Sequence, residues 1–255
     1  IGPFPKMGVV GAAVATVLGY VVSTIIALIQ LFLTKQKVKP VFKNCLEPQM
    51  IKLIFSYGLP SFVMNALGAF TVNFANMFLV RYSDTAVAFF GAYFKVQQLI
   101  FMTVNGLIQG CLPIMRFNYR AKEYGRLKQA NKSGTIIATV MMIVGMLLVL
   151  IFPKEILFLF SASEEMCAFG VPAMRIMSLG FVFSGFSAMI ATYEQATDSI
   201  MPGVVVQLLR QGVLLVPVIW LLNSAVQMTG IWLAFPITEF VTFLVAVVFA
   251  KIKNH

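Results

Sequence analysis

Residues 228–250 read MTGIWLAFPITEFVTFLVAVVFA, a run with a single charged residue, Glu239, and no Lys or Arg. A helix that crosses the hydrocarbon core of a bilayer needs about 20 largely apolar residues, and this run meets that length. Working back along the chain, Gly8–Leu33, Met50–Val80, Ala86–Met115, Gly134–Phe152, Ala168–Tyr193 and Gly203–Leu222 are runs of the same kind. With 60% hydrophobic and 11% charged residues, the composition lies far from that of an ordinary soluble domain. The runs are continuous and rich in Leu, Met, Phe and Ala, unlike the short alternating segments of a lipid-facing barrel. The sequence therefore predicts an all-α, polytopic membrane helix bundle with about seven transmembrane helices.

Orientation follows from the basic residues, because cytoplasmic loops carry the excess of Lys and Arg. Lys35, Lys37, Lys39, Lys43 and Lys52 crowd one connection; Arg116, Arg120, Lys122, Arg126, Lys128 and Lys132 crowd another. Both are predicted to be cytoplasmic. Alternation then puts Lys251 and Lys253 inside and Ile1 outside. A chain that opens on Ile and enters the bilayer from the outer face is expected to be the later part of a longer protein.

The net charge of +10 is explained by these flanking loops. It comes without an aromatic platform or a helix-turn-helix context, so no nucleic-acid partner is expected, whereas anionic membrane lipid attracts the same residues. Cys45, Cys111 and Cys167 fall in three different compartments and cannot build a disulfide framework. The single histidine is His255, and no Cys or His cluster has metal-ligand spacing; no cofactor is predicted. Asn131-Lys132-Ser133 lies in a predicted cytoplasmic loop, where a sequon is not glycosylated.

A weak internal echo links GVVGAAVAT, Gly8–Thr16, to TGIWLAFPI, Thr229–Ile237, with Gly11 matching Gly230. Two equivalent sixth helices would bracket one six-helix unit, a logic shared by many secondary transporters. Together with YGLPSFV from Tyr57, GLIQGCLPIMRFNYRAK over Gly106–Lys122, LLRQGVLLVP from Leu208 and GIWLAFPITE from Gly230, these stretches resemble the multidrug and toxic compound extrusion (MATE) family. The resemblance covers nearly the whole chain, is most specific around the eighth helix of a twelve-helix fold, and is closest to the DinF-type and related prokaryotic branches. It implies that residues 1–34 are the last helix of an N-terminal lobe, 35–49 a basic cytoplasmic linker, and 50–255 the C-terminal six-helix lobe. It also implies an antiporter of a bacterial plasma membrane that exports a small organic, often cationic, substrate in exchange for Na+ or H+. A flippase for lipid-linked oligosaccharides of the same superfamily is the alternative. An enzyme ranks third, lacking a metal cluster, a nucleophile motif or paired intramembrane carboxylates. In place of the family's glycines this chain has Arg116 and Arg120, so a differently built turn is expected after the eighth helix.

Such an activity needs polar groups at bilayer depth. Asn65 and Asn76 are eleven positions apart and return to nearly one helical face, with Asn73 slightly off it. Lys95, Gln98, Asn105 and Gln109 form a stripe on the next span. These residues and Glu239 are the substrate and ion pathway candidates. Asn and Gln also serve as interhelical glue in membrane bundles, and Lys95 near a span end can snorkel. Glu239 sits near the middle of the last span, a position that is costly without a function or a partner. It reads either as a site of proton or Na+ exchange or as the structural partner of Lys95 or Arg210. The resemblance further implies that the main coupling acid of DinF-type relatives lies in a first helix not contained in this sequence.

Overall fold

The computed structural model describes residues 8–33, 47–197, 205–206 and 208–253, and every regular element among them is helical. The chain divides into two compact units, Ile1–Tyr57 and Gly58–His255. Of the expected linker 35–49, residues 35–46 lie outside the described ones, and Pro48 already opens a helix.

In the first unit, α1 (Gly8–Leu33) exposes Val17, Tyr20, Ile25, Ile29 and Phe32 all round its surface. A helix that is apolar on every face suits lipid rather than water. Its Thr24 hydroxyl donates to the Tyr20 carbonyl at 2.8 Å, so this polar atom needs no solvent. Helix α2 (Pro48–Leu79) begins with proline at its first position, where the missing N–H is one that no helical carbonyl would have accepted.

The second unit holds the rest of α2 and the packed bundle. Helix α3 (Asp84–Arg120) starts at Ser83, whose hydroxyl accepts from the Ala86 N–H at 3.0 Å, with Asp84 in the first turn and Arg120 in the last. Both charges suit the helix dipole. Its 37 residues reach about 55 Å, well beyond the hydrocarbon core. It ends through Lys122, at φ 60, with the Glu123 N–H donating to the Asn118 carbonyl at 2.9 Å. A lysine here occupies the left-handed position that glycine usually fills.

Helices α4 (Tyr124–Ile151), α5 (Pro153–Leu159), α6 (Glu164–Ser178) and α7 (Phe181–Ala196) follow. Gly134, Ala138, Met142, Gly145 and Val149 mark the buried stripe of α4. A Cβ on Gly185 of α7 would meet Met142 Cγ at 2.9 Å, and one on Gly134 would meet Met189 Cε at 2.6 Å. Small residues thus set a close α4–α7 seam, as is usual where lipid supplies no hydrophobic drive for helices to associate. Gly106 and Gly110, a small-residue pair in the sequence, instead face open space. Arg175 of α6 donates from Nε to the Leu150 carbonyl at 3.2 Å, satisfying an acceptor left over at the end of α4.

A five-residue π turn, Leu209–Val213, leads to α8 (Leu215–Lys253). Helix α8 breaks at Val226 and Gln227, the latter at φ 54. A Cβ on Gly230 would strike the Leu222 carbonyl. Positions eight apart in a straight helix lie about 12 Å apart, so the chain has doubled back between them. The apolar stretch Leu215–Phe249 therefore contains two antiparallel segments, matching the predicted spans that end at Leu222 and begin at Met228. Four other stretches are long and apolar enough to cross a membrane, Ala13–Leu33, Asp84–Arg120, Tyr124–Ile151 and Glu164–Ala196, while α2 contributes the shorter Ala66–Leu79. The Tyr82 hydroxyl donates to Asn223 Oδ1 at 2.8 Å, placing the α2–α3 turn and the α8 turn at the same end of the bundle. Alternating spans require that arrangement.

Candidate functional site

A cavity of about 540 Å³ opens within the second unit. Helix α2 contributes Gly68, Thr71 and Val72 to its wall, and α3 contributes Phe94, Gln97, Gln98, Phe101 and Asn105. Arg210 enters from the π turn; Leu215, Phe235 and Glu239 come from α8.

The π turn accounts for the position of Arg210. The Leu214 N–H donates to the Leu209 carbonyl at 3.2 Å, five residues back, which widens the helix by one residue. A Cβ at Gly212 would collide with Thr71 Oγ1 and lie 3.1 Å from Leu67 Cδ1, so glycine allows this widened turn to approach α2 closely. From there Arg210 Nε donates to Glu239 Oε1 at 2.9 Å, with the two side chains 18% and 14% exposed. The guanidinium carbon also stands 4.8 Å from the centre of the Phe101 ring, a cation–π distance.

Glu239 is fixed from behind. A Cβ on Gly180, at the joint of α6 and α7, would meet Pro236 Cα at 3.2 Å and Glu239 Cγ at 3.3 Å. The absent side chain lets Pro236 and Glu239 seat against that joint. Oε2 of Glu239 is buried and has no hydrogen-bond partner among the described residues. The buried hydroxyl of Tyr93 on α3 likewise has no partner among the described residues.

The sequence candidates separate in space. Gln98, Asn105 and Glu239 line the cavity. Lys95 and Gln109 share the α3 stripe and are exposed, but neither lines it. Of the two partners expected for Glu239, Arg210 makes the ion pair, and none joins Lys95 to that carboxylate among the described residues. Asn76 is half-buried outside the lining, with its Oδ1 unpartnered among the described residues, while Asn73 Nδ2 donates to the Ala69 carbonyl at 3.0 Å. The Asn65 side chain lies outside the described residues.

Arg210, Gln97, Thr71 and the rings of Phe94, Phe101 and Phe235 were not among the sequence candidates. Arg210 did carry a signal, as an arginine inside an apolar span. The phenylalanines carried none, being indistinguishable in sequence from lipid-facing ones.

These features define a multi-pass helical membrane protein with a polar, charge-bearing cavity set among apolar spans. The MatE family profile matches residues 60–221, and the chain belongs to that family. The multidrug export protein MepA of Staphylococcus aureus (strain bovine RF122 / ET3-1) is 26% identical over 235 residues, and MepA of Staphylococcus saprophyticus is 26% identical over 244. These alignments cover 91% and 94% of this chain but 51% and 53% of the relatives. The chain thus spans about half the length of the curated relatives it matches. Among solved structures, an outward-facing multidrug resistance MATE family transporter of the MOP superfamily shares the fold with TM-score 0.82 at 20% identity, over 97% of this chain and 56% of that one. A MOP superfamily transporter from Pyrococcus furiosus does so with TM-score 0.83 at 20% identity, over 97% and 57%.

Proposed function

We propose that this chain is the C-terminal part of a secondary active exporter that moves organic, often cationic, drugs or toxins outward in exchange for Na+ or H+. The observation that carries this reading is the Arg210–Glu239 pair in the wall of a cavity among apolar spans, in a chain of the MatE family. Withdrawing two charges from water costs several kcal/mol per ion, at about the scale their attraction returns, so an intramembrane pair is weak as a stabilising device and marks a working site.

The lining supports an organic cation as cargo. Phe94, Phe101 and Phe235 offer ring faces, and Gln97, Gln98 and Asn105 offer amides that accept or donate without adding charge. The unpartnered Oε2 of Glu239 is the acceptor for H+ or Na+. Neutralising Glu239 weakens its hold on Arg210 and biases two arrangements of the lobes toward one of them, the coupling that antiport requires. The complete transporter pairs the lobe that begins with α2 with an N-terminal lobe to which α1 belongs, through the basic linker between them. The bacterial MepA relatives support a bacterial plasma membrane. Following the basic loops, the linker and the α3–α4 connection face the cytoplasm.

The test is reconstitution of the full-length protein in liposomes, with efflux of a fluorescent organic cation followed under imposed Na+ or H+ gradients. Glu239→Gln is expected to lower gradient-driven efflux by about tenfold, a change of about 1.4 kcal/mol. Lys128→Gln, on the exposed start of α4, is expected to leave it unchanged. Dye retention under every gradient would overturn the exporter reading and point to the flippase.

A further inference from the structure

A second cavity, about 550 Å³, lies far along the chain from the first, between α5 and the first turns of α6. Its walls are Phe158, Cys167, Ala168, Val171 and Pro172, and its rim carries one charge of each sign, Lys154 and Glu164. The volume falls within the range of small-molecule sites, about 300–1,000 Å³.

Its place relative to the bilayer follows from the spans. Helix α4 ends at Ile151 and the next apolar stretch starts at Glu164, so the connection between them sits at a membrane end, at headgroup level. Phe152, Phe158, Leu159 and Phe160 are exposed along it, 47%, 65%, 83% and 37%, as befits a segment resting on the lipid boundary. From Glu164 to Pro172 the helix descends about 12 Å, so the apolar wall reaches from the headgroup layer into hydrocarbon.

The rim charges supply the chemistry. Neither the Lys154 nor the Glu164 side chain makes an ion pair or hydrogen bond among the described residues, although both line the same cavity. A ligand that engages both carries an anion and a cation above a tail that prefers the apolar wall. A phosphate beside Lys154 and a primary ammonium beside Glu164 meet that requirement, and charge-assisted hydrogen bonds to both are the strong kind. We propose that this cavity binds one phospholipid with an amine-bearing zwitterionic headgroup, its phosphate on Lys154, its ammonium on Glu164, and an acyl chain along Ala168, Val171 and Pro172. The site is separate from the Arg210–Glu239 cavity, and its occupancy is read without any transport measurement.

The experiment extracts the full-length protein from vesicles holding equimolar phosphatidylethanolamine, phosphatidylcholine and phosphatidylglycerol, and counts retained lipid by native mass spectrometry. One phosphatidylethanolamine is expected to be retained per protein, in at least tenfold preference over phosphatidylcholine, whose quaternary ammonium cannot donate to Glu164. Glu164→Gln is expected to remove that preference, and Ala168→Trp, which fills the wall and leaves both charges, to abolish retention. Both positions are exposed, so the fold tolerates the changes, and an unchanged elution profile checks this. Equal retention of the two zwitterionic lipids, retention undiminished in Ala168→Trp, or preference for phosphatidylglycerol lost only on Lys154→Gln would each overturn the proposal.

Discussion

Arg210 holds Glu239 by one oxygen: Nε donates to Oε1 at 2.9 Å, while Oε2, buried beside it, has no partner among the described residues. A bidentate fork would have satisfied both oxygens and locked the pair. The single contact keeps Arg210 over the Phe101 ring and leaves one buried oxygen of Glu239 unpartnered among the described residues.

Removing one member of this pair is expected to cost more than removing both. Arg210→Met leaves a buried carboxylate uncompensated, a loss of about 3–5 kcal/mol, whereas Arg210→Met with Glu239→Leu recovers most of it. Thermal or denaturant unfolding of the four members of the cycle in one detergent measures the coupling. Additive single effects would show that the pair contributes nothing to the fold.

The π turn depends on Gly212. A Cβ there collides with Thr71 Oγ1, so Gly212→Ala is expected to destabilise by about 1–3 kcal/mol, and Thr71→Ala to return part of that by vacating the space. Equal midpoints for Gly212→Ala with and without Thr71→Ala would place the strain elsewhere.

The glycines of α3 and α7 are expected to respond in opposite ways. Gly185→Leu drives side-chain atoms into Met142 and the Ala138 carbonyl across the α4–α7 seam, at a cost of about 1–3 kcal/mol or more. Gly106→Ala and Gly110→Ala meet nothing within 4 Å and, in exposed helix positions, are expected to leave the stability the same or raise it by up to about 1 kcal/mol each. Unfolding curves for the three variants decide it.

Lys122 sits at φ 60 in the turn between α3 and α4, where glycine carries no Cβ penalty. Lys122→Gly relieves that strain but widens the unfolded ensemble, for a net gain of about 0.5–1 kcal/mol in stability. A drop in the midpoint would show that the lysine side chain makes a compensating contact.

The span pattern was legible in the sequence because lipid imposes a single rule on every residue of a crossing helix. Any stretch of sufficient length without charge announces itself, and the doubling-back of α8 fell where the apolar runs Gly203–Leu222 and Met228–Ala250 part. The polar stripe of α3 was legible as a period, since amides recur at helical spacing. Helical spacing, however, says only which residues share a face, not where along that face a neighbour stands. Gln98 and Asn105 reach the cavity, while Lys95 and Gln109, one turn beyond them at either end, do not.

Glu239 is conspicuous from the amino-acid order alone, at the centre of an apolar run, because an intramembrane charge requires a reason. Which cation answers it was decided by tertiary structure alone. Lys95 and Arg210 are both basic and both near span depth; the choice falls to Arg210 because a π turn, made possible by Gly212 against Thr71, carries it to within 2.9 Å of the carboxylate. The sequence determines which stretches are apolar enough to cross and which faces are polar, since those follow from transfer of each residue into lipid. Partner choice depends on ångström-scale packing between segments distant along the chain, which no local pattern encodes.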